Sequence, residues 1–216
     1  MSNKLRRVCL YVLIPIFLIM LNASLLTTKT YLNVSKGHYE SHQYIVFDHD
    51  YAVDRIMGYL NYEYDDLYFG LTEDDDQVIL RDVEISHMED VKDLYTVLRL
   101  IAACSFLASG GILIFLVRKK DYESLTTVHK NMWKYPMFFV IFVGAFMIID
   151  FNAIFTIFHQ LFFTNDDWLL YYTDVLIQLL PSAFWMVSGL IILVLFVVEL
   201  FGLRWLGKYI EKKRLM

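Results

Sequence analysis

Two histidines lie beside carboxylate and amide side chains in largely apolar stretches of the sequence. His159 lies in FTIFHQLFFTNDDW, among phenylalanines and shortly before Asn165. His87 lies in EISHMED, shortly before Asp90. An imidazole has an unperturbed pKa of about 6.5, so it can take up and release a proton near neutral pH. A lone histidine of this kind is usually a hydrogen-bonded surface residue, but two in similar settings indicate general acid–base chemistry.

Other polar residues give weaker signals. Asp150 interrupts the apolar run MIIDFNAIF, which indicates either a proton or ion pathway or a structural hydrogen bond inside a helix bundle. His38, His42 and His49 lack the spacing of a standard metal site. The acidic run TEDDD lacks the glycine and the spaced carboxylates of a calcium loop, so it is interpreted as a solvated turn. No metal site is expected.

The chain as a whole is too apolar for an ordinary soluble domain. Its 216 residues are 57% hydrophobic and 17% aromatic, with a mean hydropathy of +0.46. Apolar segments able to cross a hydrocarbon core of about 30 Å as helices occupy residues 8–26, 94–117, 136–158 and 175–203. The sequence therefore predicts an all-α polytopic membrane protein with four transmembrane helices, organised as a single membrane domain over residues 1–216.

Charged residues divide the chain between two sides of a membrane. Lysines and arginines cluster before the first segment, in the loop 118–135 and after the fourth segment, which assigns both termini and this loop to the cytoplasm. Residues 27–93 hold most of the carboxylates and are assigned to the extracytoplasmic side. The net charge of −5 makes nucleic acid an improbable partner and favours membrane lipid or an extracytoplasmic protein. An alternative for the first segment is a cleaved signal peptide, because basic residues precede it.

Residues 27–93 are long enough to form a small folded cap between transmembrane helices 1 and 2. Apolar residues recur with helical spacing over 50–62, which predicts a helix; they are Val53, Ile56, Met57 and Leu60. The runs DLYFGL and QVILRD flank TEDDD, which predicts two short strands joined by an acidic turn. A second helix is expected to begin near Glu84 and to run into the segment 94–117. The predicted cap is thus a small α+β unit.

Counting residues along the helices predicts one membrane depth for the two histidines. His87 precedes Asp93, at the outer end of the second segment, by about a helical turn and a half. His159 follows Pro136 by a rise of about 35 Å, against a core of about 30 Å. Both histidines are therefore expected at the outer membrane surface, on neighbouring helices. This shared depth is the main indication that they act together.

Three stretches of the chain carry a resemblance to a known family. They are HMEDVKDLY (87–95), FHQLFFTNDDW (158–168) and TDVLIQLLPSAFW (173–185), set in a plan of four spans with an external segment after the first. In these features the whole chain resembles the Lit family, the lipoprotein intramolecular transacylases of Gram-positive bacteria. The resemblance implies that the two functional histidines of the family correspond to His87 and His159.

The resemblance also implies a reaction and a substrate. The substrate is a diacylated bacterial lipoprotein, whose N-terminal Cys bears a diacylglyceryl group. The acyl chain of the secondary ester passes to the Cys α-amine and leaves the lyso form. We hypothesise that His87 is the general base on the amine and that His159 donates a proton or stabilises the oxyanion, with exchangeable roles. No cofactor is required, because the acyl donor and the acceptor belong to one molecule.

Further polar and aromatic residues are expected to orient the histidines or to position the substrate. They are Asp90, Asn165, Asp174, Arg99 and Trp168. Two alternatives to the enzyme remain open at this point. One is a membrane assembly or sensor protein whose acidic cap binds a partner, with both histidines structural. The other is a proton-coupled transporter using Asp150, for which four spans without an inverted repeat give little support.

Overall fold

The computed structural model describes residues 2–35, 44, 46–75 and 77–214, and this part of the chain is helical and contains no strand. Its helices are α1 (Asn3–Leu26), α2 (Lys29–Ser35), α3 (His49–Leu60), α4 (Asp82–Arg118), α5 (Tyr122–Asn131), α6 (Lys134–Ile149), α7 (Phe151–Phe162), α8 (Val175–Leu179) and α9 (Ser182–Arg214).

Four helical stretches are long and apolar enough to cross a membrane. They are Asn3–Leu26, Asp82–Arg118, Tyr122–Ile149 and Ser182–Lys213. Large apolar side chains such as Leu107, Phe138 and Ile148 are exposed on them, which a lipid environment accounts for. The predicted four-helix membrane architecture is confirmed. Helix α4 has 37 residues and rises about 55 Å, so its acidic first turns extend beyond the apolar segment that begins at Leu94.

The third and fourth apolar segments are interrupted. Asp150 (φ −150°, ψ 86°) separates α6 from α7, and its carboxylate caps α7 by accepting a hydrogen bond from the backbone N–H of Ala153 at 3.0 Å. The Asp150 side chain is exposed, so this hydrogen bond is a helix cap and differs from the hydrogen bond inside a helix bundle that was one of the two interpretations. Pro181 separates α8 from α9, as expected for a residue that has no backbone N–H to donate.

The chain divides into two compact units. The first comprises Met1–Ala23, Leu98–Ile149 and Leu190–Met216, and the second comprises Ser24–Val97 and Asp150–Gly189. Fully buried apolar side chains form the core of the first unit; they include Leu10, Leu116, Phe196 and Leu200. In this same unit Asn22 donates a hydrogen bond of 2.9 Å to the Glu199 carboxylate, which gives an acid within an apolar helix a polar partner.

The second unit has its own core, built around the amphipathic helix α3. Asp48 caps this helix by accepting hydrogen bonds from the backbone N–H groups of Asp50 and Tyr51. The apolar face predicted for residues 50–62 is buried, which confirms the predicted helix; its members are Val53, Ile56, Met57 and Leu60. Burial of each such side chain contributes about 1.5–3 kcal/mol. The core continues onto Met88 of α4 and Val175 of α8.

The two short strands predicted for residues 66–71 and 77–82 are wrong, and the cap is therefore not α+β. One backbone hydrogen bond, from Ile79 to Phe69 at 3.1 Å, joins these runs in the described part of the chain, whereas a ladder needs a series of them. The Asp75 carboxylate instead accepts hydrogen bonds from the backbone N–H groups of Leu71 and Gln77. The apolar residues at alternate positions, which resembled a strand, are Leu67 and Phe69, and both insert into the core from an irregular segment.

Gly70 lies in this irregular segment at a position that leaves no room for a side chain. A Cβ at this position would overlap the backbone carbonyl of Asp75, which cannot move without breaking the turn. We expect Gly70→Ala to destabilise the protein by about 1–3 kcal/mol, measured as a lower midpoint of thermal unfolding in detergent. Gly110→Ala is the matched control, since a Cβ there meets no described neighbour within 4 Å. Equal midpoints for the two variants would contradict this explanation.

Candidate active site

Helices α4 and α7 bring His87 and His159 into contact within the second unit. Their ring centroids lie 5.9 Å apart, with the ring planes inclined at 35°. Both side chains are buried, His87 with 8% and His159 with 7% of its surface exposed. The sequence predicted these two residues on neighbouring helices, and the structure places them side by side.

His159 has a defined tautomer. Its Nδ1 lies 2.7 Å from the backbone carbonyl of Phe155, and because a carbonyl oxygen can only accept, Nδ1 carries the hydrogen. Burial lowers the pKa of the His159 imidazole, and the hydrogen bond to Phe155 opposes this in part. At neutral pH the ring is therefore mainly uncharged. Its Nε2 then holds a lone pair and can accept a proton.

His87 is buried without the hydrogen bond that usually satisfies such a ring. Its Nδ1 has no partner among the described residues. The ring packs edge-on against Phe163, with 5.2 Å between the centroids. A buried polar atom without a partner costs free energy, which a ligand can recover by forming the missing hydrogen bond.

Aromatic side chains surround the pair and restrict water. The ring of Phe155 lies 4.1 Å from that of His159, and Trp168 lies 4.9 Å from it, both measured between centroids. Trp168 is held in place because its Nε1 donates to the backbone carbonyl of Asn165 at 3.1 Å. An environment of this kind strengthens electrostatic interactions with a bound substrate. The expected positioning role of Trp168 thus has a geometric basis.

The loop after α7 is tied to α4 on both sides of His87. Ser86 donates a hydrogen bond of 2.7 Å to Asp167, and Asn165 donates one of 2.8 Å to Asp90. Asp90 and Asn165 were expected to fix the tautomers of the histidines, but they bond to each other and to neither ring. Ser86 and Asp167 were missed, although both are within or next to the stretches that the sequence singled out.

A second polar network fixes the turn of α4 that precedes His87. Arg81 donates two hydrogen bonds, of 2.7 and 2.8 Å, to the carboxylate of Asp174. These bonds raise the pKa of the Arg81 guanidinium. Glu84 is fully buried and accepts hydrogen bonds of 2.9 Å from the backbone N–H groups of Arg81 and Leu176.

Asp174 therefore has a different role from the one expected. It stands at the N-cap position of α8 but makes no capping bond to that helix; it accepts from Arg81 and from the backbone N–H of Tyr171. It touches neither histidine. Arg81 and Glu84 were missed by sequence reasoning, and the available signal was helical spacing, because Glu84 precedes His87 by about one turn.

The remaining candidates lie elsewhere. Arg99 is exposed on α4 and belongs to the first unit. His49 lies 3.8 Å from the carboxylate of Asp50, while His38 and His42 are outside the described residues. Over residues 2–35, 44, 46–75 and 77–214, no group of three or more His, Cys, Asp or Glu side chains is placed to hold a metal ion.

Comparison with solved structures shows a close likeness in fold. The in meso structure of the membrane-integral lipoprotein intramolecular transacylase Lit from Bacillus cereus superposes with a TM-score of 0.73 at 20% identity, covering 99% of this chain and 98% of that one. A structure of the same Bacillus cereus protein with one histidine replaced by arginine gives a TM-score of 0.68 at 19% identity, over 99% of this chain and 94% of that one.

Comparison of sequences leads to a family. An uncharacterized protein of Aquifex aeolicus (strain VF5) is 27% identical over 115 residues, which are 53% of this chain and 50% of that protein, so the match spans about half the length of this relative. The family model described as lipoprotein intramolecular transacylase Lit matches residues 8–185. Because this match covers most of the 216 residues, the chain belongs to the Lit family of lipoprotein intramolecular transacylases.

Proposed function

We propose that this protein moves an acyl chain within a diacylated bacterial lipoprotein. The chain of the secondary ester on the S-diacylglyceryl group passes to the α-amine of the same N-terminal Cys and leaves the lyso form. Membership of a family of intramolecular transacylases supports the reaction class. The observation that carries the proposal for this chain is the buried contact between His87 and His159.

The reaction makes definite demands on a site. The amine nitrogen attacks the ester carbonyl, so that an N–C bond forms and the carbonyl electrons move to its oxygen. The nitrogen then loses a proton, the C–O bond to glycerol breaks, and the departing oxygen takes up a proton. The site must therefore accept one proton, return one proton and stabilise one oxyanion. Two adjacent imidazoles can meet all three demands without a further reactant.

The geometry favours an exchange of the roles first suggested for the two histidines. The Nδ1–H of His159 is committed to the Phe155 carbonyl, so its Nε2 is the base that removes the amine proton and then returns it to the glycerol oxygen. His87 has a buried ring nitrogen without a described partner. In its neutral form it carries one N–H, which can donate to the oxyanion once substrate is bound.

Positioning of the ester and the amine in the site raises the rate further. Because the ester and the amine belong to one substrate, holding them in contact replaces a bimolecular encounter, an effect that amounts to as much as about 7–11 kcal/mol. The phenylalanines and Trp168 around His159 suit an acyl chain on one side of the reacting groups. An acyl-enzyme intermediate is then unnecessary.

The membrane setting fits this substrate. Clusters of Lys and Arg on three segments support cytoplasmic termini, with residues 27–93 and both histidines at the outer leaflet. A lipoprotein presents its acyl chains in that leaflet and its peptide outside it. The proposed substrate and the proposed position of the site therefore agree.

A crossover experiment tests the proposal. Purified protein in lipid nanodiscs receives an equal mixture of two diacylated lipopeptides, one of which carries an isotopic label in both its peptide and its acyl chains. We expect conversion to N-acyl lyso-lipopeptide without change of mass, recognised by fragment ions, with fully labelled or fully unlabelled products. Products with mixed labels would overturn the intramolecular mechanism, and unchanged lipopeptides would overturn the proposed function and favour a non-enzymatic membrane protein.

A further inference from the structure

Two carboxylates beside His87 have half of their hydrogen-bonding capacity unused. Asp90 accepts through Oδ2 from Asn165, and Asp167 accepts through Oδ2 from Ser86. The Oδ1 atoms of both residues make no hydrogen bond in the described part of the chain, and no described Lys or Arg forms an ion pair with either residue. Both side chains are half-buried.

The carboxylates of Asp90 and Asp167 both affect the His87 imidazole. Both interact electrostatically with the His87 imidazole, although they belong to α4 and to the loop after α7. The His87 ring is more than nine-tenths buried, and its Nδ1 lacks a partner among the described residues. Two neighbouring carboxylates with free oxygens, next to an imidazole nitrogen without a described partner, offer hydrogen-bonding groups that a cation with several N–H donors can join.

We infer that Asp90 and Asp167 form a binding subsite for a primary ammonium group, which is the protonated N-terminal α-amine of the lipoprotein substrate. The inference rests on the proposed function and adds the recognition of the acceptor group to it. An α-amino group has a pKa of about 7.7–8.0, so it reaches the site mainly as the cation at neutral pH. An ammonium has three N–H donors, enough for both free carboxylate oxygens and one further acceptor.

The subsite also assists the transfer itself. The bound ammonium first releases one proton to solvent, and the free amine then attacks the ester carbonyl, which leaves a positive charge on nitrogen and a negative charge on the carbonyl oxygen. The carboxylates stabilise the positive charge until His159 takes the proton, while the N–H of His87 faces the negative one. A lipoprotein that is already N-acylated has no such cation, so the product loses this interaction and can leave.

Two unreactive ligands test the subsite separately from turnover. Both are lipopeptides with ether-linked alkyl chains, which cannot be transferred; one has the free α-ammonium of Cys, and the other has hydrogen in place of the amino group. We expect the wild-type protein to bind the ammonium ligand at least tenfold more tightly. The double variant Asp90→Asn, Asp167→Asn should bind both ligands equally, with unchanged affinity for the desamino ligand.

The variants are chosen to leave the loop intact. An asparagine can still accept the hydrogen bonds from Asn165 and Ser86, so a purely structural role predicts no loss of discrimination. Asp166→Asn removes an exposed neighbouring carboxylate and should keep the tenfold preference. Asp167→Glu keeps a carboxylate at position 167, so its preference for the ammonium ligand should be larger than that of Asp167→Asn. Equal binding of the two ligands by the wild type, or an undiminished preference in the double variant, would overturn the subsite. The crossover reaction is scored separately, so either proposal can fail alone.

Discussion

His159→Ala is expected to lower the initial rate of N-acylation of a diacylated lipopeptide by about 10²–10⁴-fold, which is the usual contribution of a positioned acid or base. In the proposed mechanism Nδ1 of His159 is held by the Phe155 carbonyl, which leaves Nε2 as the proton acceptor. Alanine leaves no group that can take the proton from the attacking amine. The rate is measured by mass spectrometry of the N-terminal lipopeptide after reaction with purified protein.

The roles of the two histidines can be separated by amide substitutions. A glutamine at position 159 can hydrogen-bond but cannot carry the proton, so His159→Gln should be as impaired as His159→Ala. A glutamine at position 87 keeps an N–H donor for the oxyanion, so His87→Gln should retain more activity than His87→Ala. His49→Ala is the control, because His49 lies at the start of α3 beside Asp50. Near wild-type conversion by His159→Ala would exclude His159 as the base.

The pairing of His87 with His159 could be predicted because it depends on helix geometry. The rise per residue is constant along a helix, so residue counts from the ends of apolar segments gave similar depths for two positions far apart in sequence. The helix α3 was predictable for the same reason, since its apolar positions recur at the helical period. Features set by periodicity were therefore accessible from the sequence, as was the number of membrane-spanning helices.

Features that depend on contacts between irregular segments were not accessible. Alternating apolar residues at 67 and 69 imitate a strand, and only the packed structure shows that the Asp75 side chain replaces the partner strand. The same holds for Asp167, whose partner Ser86 lies on another element. Asp150 is another example, because its sequence left open a proton or ion pathway and a hydrogen bond inside the bundle, whereas the structure shows its carboxylate capping α7.

Glu84→Ala is expected to destabilise the second unit by about 2–6 kcal/mol, because it leaves a buried and a part-buried backbone N–H group without acceptors, at about 1–3 kcal/mol each. The Glu84 carboxylate is fully buried and serves the N–H groups of Arg81 and Leu176, on either side of the contact between α4 and α8. Its loss should lower the midpoint of thermal unfolding in detergent. It should also lower the rate of acyl transfer, since His87 lies one turn further along α4.

Two control variants distinguish the loss of these hydrogen bonds from a general effect of mutating the helix. Glu84→Gln keeps one acceptor oxygen, so it should recover roughly half of the loss in unfolding free energy, because one of two unmet N–H groups is satisfied again. Glu89→Ala removes an exposed carboxylate from the same helix and should leave the midpoint nearly unchanged, as is usual for a surface substitution. If Glu84→Ala unfolded at the same temperature as Glu89→Ala, the two N–H groups would have found other acceptors and the network would not determine the position of His87. If Glu84→Ala instead lowered both stability and rate while Glu84→Gln restored about half of each, the buried carboxylate would hold the turn of α4 that precedes His87 in place by accepting from two backbone N–H groups at once.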